Sequence, residues 1–238
     1  SAKIMVLNNR TADGIARSVA QFADALKSAQ IVFIPGGFSG GDEPDGSGKF
    51  ITAFFRNAAI RTQVTDLLER RDGLMLGICN GFQALVKLGL VPYGKIVDPT
   101  PDAPTLTFNT IGRHQSRLVR TRVASTLSPW FAAAQVGDVY TVPISHGEGR
   151  FVASPEWVAK LAANGQIATQ YVDFNDRATF DIHFNPNNSV AAIEGITSPD
   201  GRVLGKMGHS ERIGRGLYRN VPGRYELQLF QSAVQYFK

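Results

Sequence analysis

Apolar and polar positions along the chain follow two rhythms. Ile4-Met5-Val6-Leu7 and Ile31-Val32-Phe33-Ile34 are uninterrupted apolar runs of strand length, and between them Ile15, Val19, Phe22 and Leu26 recur at the spacing of one helical face. The second run ends in Pro35-Gly36-Gly37, and a helical pattern spans about 49–70. A third short strand, Gly73-Leu74-Met75-Leu76-Gly77, leads into Phe82, Leu85, Val86 and Leu88 at helical spacing, with Gly89 as the stop. Strands that are apolar throughout and alternate with helices predict a parallel sheet covered on both faces. Sites in such sheets form where loops leave the carboxyl ends of the strands.

The second half reads differently. Residues 139–145, 149–153, 167–172, 191–197 and 202–207 have strand patterns, and Ser198-Pro199-Asp200-Gly201 makes a tight turn between the last two. Ser154-Pro155 caps and opens a helix to about residue 163. A closing helix is expected over 225–237, with Leu227, Phe230, Val234 and Phe237 on one face. The predicted fold is an α/β open, mostly parallel sheet with helices on both faces and additional antiparallel strands in the second half.

With 43% hydrophobic and 19% charged residues in 238, the composition is that of one ordinary globular domain. The net charge of +5 does not mark a nucleic-acid binder, because the positive residues are scattered and the longest basic cluster is Arg70-Arg71. One cysteine cannot form an internal disulfide, no run reaches the length of a membrane span, and the start does not resemble a signal peptide. A soluble, cytoplasmic protein is expected.

That cysteine carries the chemistry. Gly77-Ile78-Cys79-Asn80-Gly81 sets it between glycines at a strand-to-helix junction, where a sharp turn lifts a nucleophile clear of the sheet. The plainer reading is a small buried hydrophobe. A base and an anion site would decide for the nucleophile. Of His114, His146, His183 and His209, the last follows a strand and has Glu211 two residues on, the spacing at which a carboxylate can hold an imidazole in one tautomer. His146 is the rival base; His114 and His183 have no partner pattern. Backbone N–H groups of Gly37, Phe38 and Asn80, at the same sheet edge, could form an oxyanion pocket. A surface turn at His209-Ser210-Glu211 and a simple glycine turn at Gly36-Gly37 are the alternatives. No spacing of histidine, cysteine and carboxylate suggests a metal site.

Together, Gly36-Gly37-Phe38-Ser39-Gly40-Gly41-Asp42, Cys79-Asn80-Gly81-Phe82-Gln83, Ser145-His146-Gly147-Glu148-Gly149-Arg150 and Gly208-His209-Ser210-Glu211-Arg212 resemble the signatures of a class I glutamine amidotransferase. Within that class the chain is most similar to the glutaminase domain of phosphoribosylformylglycinamidine synthase in its large, fused form. The resemblance implies a flavodoxin-like sheet and a Cys79, His209 and Glu211 triad, with Gln83, His146 and Gly147 holding glutamine. It also implies a glutaminase that forms a cysteine thioester and passes ammonia to a synthetase domain, in the same chain or a separate subunit. That partner converts formylglycinamide ribonucleotide to the amidine in purine biosynthesis. No cofactor is expected in this domain, and ATP and Mg2+ are expected on the synthetase.

Two departures follow from the same resemblance. Ser210 stands where the family more often has proline, so the turn between His209 and Glu211 is expected to be differently stiffened, with the triad surviving the change. A strand and helix that usually precede the region matched by Ile4 to Leu7 are absent, so residues 1–238 are expected to be a C-terminal fragment lacking its first strand–helix unit. The remaining readings are the glutaminase of another ammonia-channelling synthase and a non-catalytic interaction or regulatory domain. A P-loop fails on spacing, because Phe50 follows Gly48-Lys49 where serine or threonine is needed.

Overall fold

The computed structural model describes residues 1–38, 46–214 and 216–238; part of the predicted glycine-rich loop, 39–45, lies outside the described residues. The first half holds α1 (Ala12–Leu26), β1 (Ile31–Ile34), α2 (Lys49–Phe55), α3 (Ala58–Glu69), β2 (Leu74–Ile78), α4 (Asn80–Leu88) and the single turn α5 (Leu90–Tyr93). The second half holds β3 (Thr105–Phe108), β4 (Gln115–Val123), β5 (Val139–His146), β6 (Glu148–Val152), α6 (Pro155–Ala163), β7 (Ile167–Tyr171), β8 (Ile193–Thr197), β9 (Val203–Lys206) and α7 (Leu229–Tyr236).

Seven strands form one sheet in the order β1-β2-β9-β8-β7-β4-β5, and β3 pairs with β6 in a separate ribbon. Among the described residues, parallel pairing is confined to β1, β2 and β9. From β9 outward through β8, β7, β4 and β5 every pairing is antiparallel. The expected α/β sheet with antiparallel strands in the second half is present, but its parallel part is small.

Local chemistry accounts for the element ends. The Thr11 side chain accepts from the Gly14 N–H to cap α1, and Ser154 accepts from the Trp157 N–H to cap α6. Asn57 caps α3 by accepting from Ala59, which divides the expected 49–70 helix in two. Ser198 to Gly201 makes the predicted turn, closed by a Gly201 N–H to Ser198 O bond of 2.9 Å. Gly89 ends α4 in the left-handed region, at φ 78°.

Three expectations change. Residues 1–9 have no regular structure; Ile4 and Val6 are exposed because this run finds no ladder partner, and β1 is an edge strand. The closing helix begins only at Leu229, so Leu229, Ser232 and Ala233 form its buried side, while Phe230 and Val234 are part-exposed. Thr105–Phe108 and Gln115–Val123 are strands that the apolar pattern did not mark.

The sheet centre positions the site. β2 is buried along its length, with α4 against it on the face of Ile34, where a Cβ on Gly81 would lie 3.1 Å from Ile34 Cβ. α7 covers the opposite face, with the Phe230 ring 5.2 Å from that of Phe33. The parallel strands β2 and β9 end side by side, Ile78 in register with Lys206. Cys79 and His209 therefore leave the same sheet edge.

Candidate active site

Cys79 adopts φ 54° and ψ −108° between β2 and α4, a conformation that side chains with a Cβ avoid. It is held by tight packing on both sides. A Cβ on Gly81 would lie 2.1 Å from Ile34 O, and one on Gly77 would lie 2.6 Å from the Gly81 backbone, so only glycine fits at either position. The thiol is buried and its sulfur lies 3.6 Å from the Ser145 carbonyl oxygen. The backbone N–H groups of Asn80 and Gly37 both reach the sulfur. Burial outweighs these donors and raises the thiol to about 11, with Arg212 acting to lower it and Glu211 to raise it.

His209 is fully buried and its backbone N–H donates to Pro143 O at 2.8 Å. Its Nδ1 lies 2.6 Å from Glu211 Oε1, as the spacing predicted, and its Nε2 has no partner among the described residues. A Cβ on Gly36 would stand 2.5 Å from His209 Cε1 and 2.9 Å from Cys79 Cβ, so the ring and the nucleophile border the same glycine. Burial raises the Glu211 carboxyl, but its hydrogen bond to His209 and the nearby cations prevail and leave it below its ordinary value.

His146 closes another wall. Its Nδ1 lies 3.1 Å from Asn109 Oδ1, and burial, with His114 and His209 nearby, lowers it to about 4. It is therefore neutral near pH 7 and a weak base. Gln83 on α4 donates its side-chain amide to Glu148 O. The Ser47 N–H donates to Glu148 Oε2 at 3.0 Å, and Lys87 Nζ donates to Ser47 O at 2.6 Å. A cavity of about 130 Å³ opens between these groups, bordered by Gly37, Phe38, Cys79, Gln83, His146, Gly147 and Arg212.

Every described site residue predicted from sequence thus lies at one sheet edge. Gly37 and Asn80 present their N–H groups to the sulfur, whereas Phe38 lines the cavity mouth with its ring 6.1 Å from that of His114. His183 lies apart, paired with Asp181 on the surface. The sequence reading missed Asn109, Arg212 and the buried residues Glu194 and Lys206 behind the His209 turn. A lysine inside the apolar run Val203-Leu204-Gly205-Lys206-Met207 was the available signal for the last of these.

Comparison with known proteins identifies the family. The chain is 38% identical over 214 residues to the phosphoribosylformylglycinamidine synthase subunit PurQ of Acaryochloris marina, covering 88% of this chain and 80% of the relative. It is 34% identical over 215 residues to that of Synechococcus elongatus, covering 88% and 81%. The PurLQS structure from Thermotoga maritima superposes with a TM-score of 0.63 at 26% identity, covering 88% of this chain and 80% of that one. These relatives are named as a subunit, which corrects the large, fused form expected from sequence toward the small-subunit form. Residues 5–237 match the family described as the CobB/CobQ-like glutamine amidotransferase domain, and this chain belongs to that family.

Proposed function

We propose that this chain is the glutaminase of phosphoribosylformylglycinamidine synthase, of the PurQ small-subunit type, acting in purine biosynthesis with a synthetase partner. The relatives' names and the PurLQS likeness support this reading. The observation that carries the chemistry is Cys79 with two backbone N–H donors to its sulfur and the Glu211-paired His209 ring bordering the same glycine, Gly36.

With its thiol raised to about 11, Cys79 is protonated in the resting site and must give up its proton before it attacks. His209 Nε2 takes that proton, while Glu211 fixes Nδ1–H and steadies the imidazolium. The sulfur bonds to the side-chain amide carbon of glutamine. The resulting oxyanion faces the Gly37 and Asn80 N–H groups, a kind of contact worth about 3 kcal/mol per donor. His209 returns the proton to the departing nitrogen, and ammonia leaves behind a thioester. Water, deprotonated by His209, then attacks the thioester carbonyl, giving glutamate and the free thiol.

Gln83, His146 and Gly147 shape the glutamine pocket in this reading. Phe38 lies at its mouth, where its backbone N–H is a further candidate donor to the oxyanion. The synthetase partner would hold ATP and Mg2+, and the reaction would run in the cytoplasm. Among the described residues no helix is long and apolar enough to cross a membrane.

Cys79→Ala should abolish glutamine hydrolysis, and a thiol-alkylating glutamine analogue should label Cys79 in the unaltered chain. Hydrolysis persisting in that variant would reject the mechanism.

A further inference from the structure

Lys206 and Glu194 are both fully buried, with Lys206 Nζ 3.1 Å from Glu194 Oε1. Neither touches the cavity that holds Cys79. Buried ion pairs contribute little net stability, because desolvation offsets the attraction, so a pair in this position calls for another role. Its remaining contacts indicate one. Lys206 Nζ donates to Gly208 O at 2.9 Å and to Ser210 Oγ at 3.0 Å, the two residues that flank His209. Glu194 accepts from the Gly208 N–H and from Thr169 Oγ1. The ammonium thus uses its three protons on Glu194 and on both sides of His209.

The turn needs this support. Neither position 208 nor position 210 is proline, so no ring fixes the backbone on either side of His209. A side chain at 208 is excluded in any case, because a Cβ there would lie 2.8 Å from Glu194 Oε1 and from a Val142 methyl. Glycine at 208 leaves that backbone freer than any other residue would. We propose that the Glu194–Lys206 pair is a positioning device for catalysis: Lys206 clamps the turn so that His209 and Glu211 are held toward Cys79. The inference rests on the glutaminase reading. Lys206 touches no reacting atom and acts through His209 and Glu211.

Glutaminase kinetics with the synthetase partner present test this. Glu194→Gln combined with Lys206→Met removes both charges but keeps an acceptor for the Gly208 N–H. It should hold Tm within about 3 °C while kcat falls about tenfold from lost alignment, with KM for glutamine within about twofold. In a His209→Ala background the same two changes should cost less than about twofold of the residual rate, because the side chain they align is already gone. An unchanged kcat in the double variant overturns the proposal, and so does a full loss in the His209→Ala background. Should the double variant not fold, Ser210→Ala decides, since it deletes one of the Lys206 contacts: a lower kcat at constant KM supports the clamp and an unchanged kcat overturns it. An active unaltered enzyme with an equally active variant defeats this inference alone, whereas an inactive unaltered enzyme defeats it together with the glutaminase reading.

Discussion

Cys79 combines a strained backbone with a thiol raised to about 11, two properties that act in opposite directions on reactivity. The turn exposes the sulfur to a substrate carbon, while burial keeps it protonated and unreactive toward casual electrophiles. A thiol raised in the folded state loses its proton only as pH climbs toward the folded value. Labelling of Cys79 by a small neutral alkylating reagent, without glutamine, should therefore rise about tenfold per pH unit between 7 and 10. A plateau near pH 8, measured by intact mass, would contradict the burial argument. Legibility at this scale was good for residues with a local signature. The glycines around Cys79 and the two-residue step from His209 to Glu211 are visible in the chain. Asn109 beside His146 and Glu194 beside Lys206 are not, because contacts across 37 residues or between strands leave no spacing to read.

At the scale of elements, α4 is the piece whose placement fixes the nucleophile. It lies close to two strands at once: the Ile34 carbonyl of β1 meets Gly81, and Gly205 of β9 meets the Phe82 ring. A Cβ at 205 would come within 2.1 Å of Phe82 Cδ2, in a core without slack. Gly205→Ala should therefore cost about 1–3 kcal/mol of stability by overpacking, read as a lowered midpoint in denaturant. A neutral result would mean that α4 can slide, and the elbow with it. The strands and helices of the first half could be read because apolar runs and helical spacing take turns there. β4 escaped notice because Val119, Thr121 and Val123 face inward while Arg120 and Arg122 face outward, an alternation with too few apolar residues to stand out. Of its partners, β5 is the next strand in the chain, whereas β7 comes only after β6 and α6.

At the scale of the whole molecule, a large buried cluster runs from Leu26 of α1 through β2, α4 and β9 to Ala233 of α7, and a smaller one joins Val119, Val142, Ile144, Tyr171 and Ala192 in the antiparallel part. Both halves of the chain contribute to the large cluster, and β4, β5 and β7 tie the two together, with Val123, Tyr140 and Ala168 in the large one and Val119, Val142 and Tyr171 in the small one. Unfolding should accordingly be a single cooperative event. The fluorescence of buried Trp130 and the far-UV circular dichroism should trace coincident denaturant curves, and separated midpoints would show two units instead.

The Glu194–Lys206 pair has a consequence for how that sheet assembles. β8 and β9 are buried at every position, and Gly195, Gly205 and the Ser198–Gly201 turn set their alignment. Slipping either strand by one residue turns each side chain to the other face. A slip would drive a side chain into the Phe82 ring, and it would also strand a carboxylate and an ammonium in the interior without each other. The two charges thus reinforce the register that the glycines and the turn set, and that register is the one that delivers His209 to the end of β2.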